Sequence, residues 1–249
     1  MLNSLFLILG GIAAGIVNTL AGNGSVITLA LCTELVGLSP SVANGTNRLG
    51  VLMQSISGTL ALKKHGKLSL TDTWKPMICV IVGAIFGIWL ATALDDVSFK
   101  KLYPWFLLFI FLVLLIKPQR WIQNDPSIKS EIKWYLWPIL FLIGVYGGLI
   151  QIGVGVFFLA AMIMIGHFPW INANAAKIVV VGIFTTFAVV LFGMNGLIHM
   201  QTALFLALGQ AIGAWLGVRY MSKYPQAQKV SFFLLLVVTA FTLIRQFVF

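Results

Sequence analysis

Polar residues and glycines interrupt an apolar stretch near the N-terminus, which reads GGIAAGIVNTLAGNGSVITLAL. Asn18, Asn23 and Ser25 lie there beside Gly22 and Gly24. A helix broken at these glycines exposes main-chain N–H groups at the start of its second half, where the helix dipole favours an anion. The break therefore predicts a binding site for a small anion. The alternative is that the glycines only allow close packing of helices.

Arg48 is the second residue that could bind an anion. Fourteen uncharged residues separate it from Lys63, which is about 21 Å of helix at 1.5 Å per residue. The hydrocarbon core of a bilayer is about 30 Å thick, so a span that ends near Lys63 must include Arg48. An arginine inside a membrane is costly and is by default a functional hypothesis. A snorkelling position at the interface is the alternative.

Glu34 is an acidic residue in the same long apolar region, fourteen residues before Arg48. It could neutralise Arg48 in the absence of substrate, or it could carry a proton whose movement is coupled to the anion. We favour the pairing, because a lone buried carboxylate would more readily stay protonated.

The composition places these residues in a membrane protein. Of 249 residues, 60% are hydrophobic and 9% are charged, and the mean hydropathy is +1.01, whereas about 25% of the residues in soluble domains are charged. No charged residue occurs in 1–33, 76–94, 134–176 or 178–218, and about 20 apolar residues suffice for a spanning helix. These stretches lack the alternation typical of an outer-membrane barrel. The sequence predicts an all-α, polytopic membrane protein and excludes a soluble one.

The chain divides into two similar halves. Apolar elements are predicted at 2–37 and 134–166, each with an interruption, and at 40–62, 76–94, 98–116, 171–194, 200–218 and 230–248. We therefore predict a first transmembrane repeat at 1–117, a cytoplasmic linker at 118–133 and a second repeat at 134–249. An interrupted element, whether a re-entrant hairpin or two tilted spans, returns to its starting side. Three net crossings remain in each half, so the repeats should be inverted.

Matching residues support the repeat. Gly22-Asn-Gly24 is matched with Gly153-Val-Gly155, and GLSPSVANGTNR matches GHFPWINANAAK at an offset of 129. The second match makes Lys177 the counterpart of Arg48, and inversion would bring both cations toward the middle of the membrane. Both are flanked by hydrogen-bonding residues suited to a small oxyanion, namely Asn44, Thr46 and Asn47 in one half and Asn172 and Asn174 in the other.

The net charge of +10 indicates orientation in the membrane rather than a nucleic-acid partner. Basic residues group in the segments 63–75, 117–133 and 219–229. By the positive-inside rule these loops are cytoplasmic, which places both termini outside.

Other chemistry is not expected. Cys32 and Cys79 lie in apolar runs, and the three histidines form no metal-binding motif. Ser25 has no assignable base, and the chain contains no phosphate-binding Walker motif. We predict no enzyme activity, no cofactor and no metal.

The residues GIVNTLAGNGSVITL, a Gly-x-x-Pro turn and ANGTNR resemble the signature of the sulfite exporter TauE/SafE family, and the resemblance covers nearly the whole chain. The second half, GGLIQIGVGVF with ANAAK, is more divergent. The resemblance implies a multi-pass transporter of the plasma or inner membrane, an exporter of small sulfur-containing anions such as sulfite or organosulfonates. It assigns the anion to the following first-half residues: Asn18, Gly22, Asn23, Gly24, Ser25, Asn44, Thr46, Asn47 and Arg48. Gly153, Gly155, Asn172, Asn174 and Lys177 are their predicted second-half counterparts.

The predicted function is therefore a secondary carrier that works by alternating access, with the site between its inverted halves. A passive anion channel is one alternative, and an embedded enzyme or assembly factor is another. The expected partners are a small anionic substrate and the lipid bilayer, and association into a homo-oligomer stays open.

Overall fold

The computed structural model describes residues 2–93 and 133–224, together with isolated residues between 105 and 112 and between 226 and 244. The predicted linker 118–133 lies outside the described residues except for Lys133. The predicted spans 98–116 and 230–248 lie outside them apart from those isolated residues.

The first half begins with a helix that breaks in the middle of the apolar stretch. Gly22 adopts the left-handed conformation at the break, with a φ of +88°. The helices are α1 (Leu2–Leu20), α2 (Ser25–Ala30), α3 (Pro40–Lys64) and α4 (Trp74–Ala93), and a π-helical turn (Leu31–Leu35) follows α2. Pro40 occupies the first turn of α3, where its missing N–H has no intrahelical acceptor in any case.

The second half repeats this order. Its elements are α5 (Leu136–Leu149), α6 (Val154–Ala160), a π-helical turn (Ala161–Ile165), α7 (Trp170–Met194) and α8 (Met200–Lys223). The helices α3 and α7 are both 25 residues long. Both predicted interruptions are confirmed, and the described secondary structure is helical as predicted.

Four of these helices are long and apolar enough to cross a membrane: α1, α4, α7 and α8. Although α3 is as long as α7, it is less apolar and is not one of these four. Polar residues on α3 explain the difference, because Asn44, Thr46, Asn47, Arg48, Gln54 and Ser55 are all buried inside the protein. The helix that carries the candidate chemistry is thus shielded from lipid along its polar face.

The two halves are interleaved through close helix contacts. The first helix of each half packs against the fourth helix of the other, α1 on α8 and α5 on α4, while α3 and α7 pack together. A Cβ on Gly213 of α8 would lie 3.0 Å from the Cα of Gly15 in α1. Such backbone approaches are typical of small residues in membrane helix pairs. In the same way a Cβ on Gly87 of α4 would lie 3.0 Å from the Cα of Val145 in α5.

Candidate functional site

The two broken elements cross at their breaks. A Cβ on Gly22 would lie 2.6 Å from the carbonyl carbon of Gly155, and a Cβ on Gly155 would lie 2.7 Å from the Cα of Gly22. Any side chain at either position would force the two backbones apart. The breaks therefore bring the ends of α1 and α5 to a shared point between the halves.

Arg48 holds the end of α5. Its side chain is fully buried, with Nη1 donating to the carbonyl of Gly147 at 2.9 Å and Nη2 donating to that of Gly148 at 2.6 Å. The Asn44 amide donates to the next carbonyl, that of Leu149, at 3.1 Å. The last carbonyls of a helix have no intrahelical donor, and in a membrane no bulk water replaces one. Arg48 thus clamps the end of a helix through its two terminal nitrogens, while its Nε has no partner among the described residues, and its predicted role as an anion ligand stays a prediction.

Lys177 of the second half makes the equivalent contacts to the first half. Its Nζ donates to the carbonyls of Asn18 at 3.0 Å and Thr19 at 2.8 Å, at the end of α1. The two cations are 129 residues apart in sequence, and so are the two pairs of carbonyls that they contact. A cation at the C-terminal end of a helix is also favoured by the helix dipole.

This reciprocity corrects the sequence alignment of the breaks. Gly24 precedes α2 and Gly153 precedes α6, each at the N-cap position, so the matching offset is 129. The predicted match of Gly22-Asn-Gly24 with Gly153-Val-Gly155 was displaced by two residues. The shared Gly-x-Gly spacing suggested the wrong register. At the offset of 129, the residue that corresponds to Gly22 is Gln151 and not a glycine.

A small cavity adjoins Lys177 at the junction of the halves. Its lining comes from α1, α2 and α3 on one side and from the second break, α6 and α7 on the other: Asn18, Ser25, Val51, Gln54, Ser55, Gln151, Val154, Gly155, Lys177, Ile178 and Val181. Among these described residues Lys177 carries the one formal charge, and none is an Asp or Glu. The cavity is small, and its described lining presents one buried ammonium group and no acidic side chain, so its charge favours an anion over a cation.

Four predicted ligands line this cavity: Asn18, Ser25, Gly155 and Lys177. The Asn18 amide donates to Oε1 of Gln54 at 3.0 Å and accepts the main-chain N–H of Gly24 at 3.4 Å. The N–H of Gly24, expected to face an anion, is thus turned toward Asn18. Asn18 both fixes the break and orients Gln54 at the cavity wall.

Other predicted ligands hold neighbouring helices together. The Thr46 hydroxyl accepts the main-chain N–H of His199 at 2.9 Å, and Oδ1 of Asn47 accepts the Thr28 hydroxyl at 2.7 Å. The amide of Asn174 donates to Sδ of Met221 at 3.3 Å. These contacts place the three side chains between helices, while Nδ2 of Asn47 and Oδ1 of Asn174 have no hydrogen-bond partner among the described residues.

The remaining predicted positions are spread around the site. Asn23 is buried at the first break, and Asn172 is half-buried near the start of α7. A Cβ on Gly24 would lie 2.6 Å from that of Asn18, so packing alone requires a glycine there.

Glu34 does not meet Arg48 in this structure. It is exposed in the π-helical turn after α2, whereas Arg48 is fully buried and donates through both terminal nitrogens to main-chain carbonyls. The expected pairing is therefore replaced by carbonyl contacts.

Sequence reasoning missed Gln54, Ser55 and Gln151, which the structure places in the cavity wall. Signals for them were present. Gln54 and Ser55 lie three and four residues after Val51, so all three share one face of α3. Gln151 is the one amide side chain in the apolar run 134–166.

Comparison with known proteins places the chain among membrane transporters. A family model for the sulfite exporter TauE/SafE matches residues 7–243. A probable membrane transporter protein, ORF9, of a Sinorhizobium species is 28% identical over 225 residues, which cover 86% of this chain and 82% of the relative. A probable membrane transporter protein of Haemophilus influenzae is 28% identical over 84% of this chain and 81% of its own length. The probable membrane transporter protein YunE of Bacillus subtilis is 26% identical over 86% of each chain. No solved structure matches.

Proposed function

This chain belongs to the sulfite exporter TauE/SafE family of membrane transporters, and we propose that it is a secondary carrier that exports small sulfur-containing oxyanions. The observation that carries the proposal is the cavity beside Lys177, which both halves build. A buried ammonium without an acidic partner in the cavity wall favours an anionic ligand. The family description, rather than the cavity, supports sulfur chemistry and export.

We further propose that the halves are inverted repeats that alternate access by rocking about the crossing of Gly22 and Gly155. The reciprocal clamps at Arg48 and Lys177 support a two-fold relation between the halves. Broken helices at corresponding positions are a common feature of transporter binding sites. Because each half makes three net crossings, the second half begins on the opposite face of the membrane and is inverted.

The proposed location is the plasma or inner membrane, with both termini outside. This orientation rests on the basic segments 63–75, 117–133 and 219–229. Cysteine labelling in cells tests it: a cysteine at position 66 or 223 should be protected from an impermeant external reagent, and both termini should be accessible. Labelling of position 66 from outside would overturn the orientation.

Flux measurements in proteoliposomes test the carrier function. We expect saturable uptake of radiolabelled sulfite that internal unlabelled sulfite accelerates, because a carrier exchanges substrate across its two states. Lys177→Met should lower this flux at least tenfold, since a hydrogen bond to a charged group contributes about 1.5–3 kcal/mol. Lys63→Gln is the matched control, because Lys63 is exposed at the end of α3, and it should leave the flux unchanged.

The same assay separates carrier from channel and tests direction. A flux that follows voltage without saturation would replace the carrier by a passive channel. In cells, an exporter should lower the internal concentration of sulfite when expressed, whereas accumulation would reverse the proposed direction.

A further inference from the structure

Two buried polar atoms in the cavity wall have no hydrogen-bond partner among the described residues: Oγ of Ser55 and Oε1 of Gln151. Both side chains are only 2% exposed. An unsatisfied buried polar atom costs about 1–3 kcal/mol, so such atoms are typically satisfied by a ligand or water. Both atoms lie in the wall of the cavity that Lys177 also lines, so a ligand near the ammonium group would be within their surroundings.

The backbone conformation of Gln151 also favours a functional role for its side chain. Its φ is +67°, in the left-handed region that side chains other than Asn and Asp seldom occupy. The corresponding residue in the first half is Gly22, which adopts such a φ without strain. The second half thus keeps a long amide where glycine would fit the backbone better, which is typical of functional positions.

The hydrogen bonding of Gln151 determines which of its atoms faces the cavity. Its Nε2 donates to the Thr185 hydroxyl oxygen at 3.0 Å, which leaves the carbonyl oxygen Oε1 for a ligand. An amide oxygen accepts hydrogen bonds and donates none. A fully ionised oxyanion without hydrogen offers only acceptors, so it would leave Oε1 unsatisfied and would repel it.

The charge of the cavity wall leads to the same conclusion. Lys177 is the one titratable side chain among the described lining residues, and it supplies a single positive charge. Two negative charges in a buried cavity would exceed this charge, and unpaired buried charge is expensive. A singly charged anion matches the cavity wall.

Taking the proposed function as given, we propose that the cavity selects a singly charged oxyanion that carries its own hydrogen-bond donor, with Gln151 as the specificity residue. Oε1 of Gln151 accepts the donor of the ligand, while Nζ of Lys177 and the Ser55 hydroxyl donate to its other oxygens. Hydrogen sulfite offers this chemistry through its proton. An aminosulfonate such as taurine also carries a donor, on its ammonium group, but it is net neutral, so it should bind more weakly than hydrogen sulfite in the same assay.

The test compares three probes on the purified, full-length protein: hydrogen sulfite at about pH 6, methanesulfonate and sulfate. Methanesulfonate has the same charge as hydrogen sulfite but no comparable donor, and sulfate has neither the charge nor the donor. We expect hydrogen sulfite to bind about tenfold more tightly than either, as loss of one hydrogen bond to a charged ligand predicts. Binding of total sulfite should weaken toward about pH 8, because the hydrogen sulfite fraction falls, while that of methanesulfonate, which keeps its charge, should change less.

Gln151→Gly is the informative variant, because glycine suits the positive φ and removes only the side chain. It should reduce the preference for hydrogen sulfite over methanesulfonate to about twofold or less without weakening methanesulfonate. Thr186→Val is the matched control, since the Thr186 hydroxyl donates to the Gly182 carbonyl on an exposed part of α7. It should leave both affinities unchanged.

The outcomes separate this inference from the proposed function. If Gln151→Gly weakens hydrogen sulfite and methanesulfonate equally, Gln151 does not discriminate between them and the inference is wrong. Tighter binding of sulfate than of hydrogen sulfite would also overturn it, although an anion carrier would remain. If the wild-type protein binds none of these anions, the proposed function fails and the inference fails with it.

Discussion

The C-terminal ends of α1 and α5 are capped in the same way, by a cationic side chain, but lie in different surroundings. Arg48 and Lys177 each donate to two successive carbonyls of the other half. The guanidinium carbon of Arg48 lies 5.3 Å from the centre of the Phe192 ring, and Arg48 does not line the cavity. Lys177 lies beside it, with amide and hydroxyl groups around it.

The proposed function assigns one copy of this contact to stability and the other to binding. Near Arg48 aromatic rings are close: Phe192 lies over the guanidinium, and a Cβ on Gly147, whose carbonyl Arg48 contacts, would lie 3.4 Å from Cζ of Phe184. Near Lys177 the first half supplies Asn18 and Gln54 instead.

Arg48→Met should have the largest effect on stability. It leaves two buried carbonyls without donors, which costs about 3 kcal/mol or more, and should lower the melting temperature in detergent by about 5–10 °C. Differential scanning fluorimetry measures this shift, and Lys63→Met, at an exposed position, should stay within about 1 °C of wild type. An unchanged melting temperature together with lost anion binding would restore Arg48 as the ligand.

A paired substitution should separate the two surroundings. Phe192→Leu removes the aromatic face over Arg48, which contributes about 0.5–2 kcal/mol, so the protein should melt earlier and still transport. Gln54→Leu removes a cavity-lining amide instead, and we expect a several-fold loss of sulfite flux with a smaller change in stability. If Phe192→Leu abolishes flux while Gln54→Leu preserves it, the roles assigned to the two regions are reversed.

The sequence predicted the helices and their breaks better than it predicted the site. The length of the apolar runs and the glycines within them predicted the interruptions, because periodicity and backbone freedom are local properties. The contacts of Arg48 are not local, because the Gly147 and Gly148 carbonyls lie 99 and 100 residues away in sequence. Charge alone suggested an anion or Glu34, since a sequence does not show which helix ends lack hydrogen-bond donors. The roles of Gln54 and Gln151 likewise depend on which faces the fold brings together.

Glu34→Gln should have the smallest effect. Glu34 is exposed while Arg48 is buried, so loss of its charge should change stability by no more than about 0.5 kcal/mol. Sulfite flux measured from about pH 5 to about pH 8 should follow the wild-type profile. A shifted pH profile would instead support the proton-carrying role considered from the sequence.

Exchange of the two cations tests the division of roles most directly. Arg48→Lys and Lys177→Arg each keep a positive charge on the same pair of carbonyls, so both proteins should fold. The guanidinium at position 177 is larger and would fill part of the cavity. In matched proteoliposomes we predict that Arg48→Lys retains sulfite flux within about twofold of wild type and that Lys177→Arg loses about tenfold or more. Normal flux in Lys177→Arg with lost flux in Arg48→Lys would contradict the account.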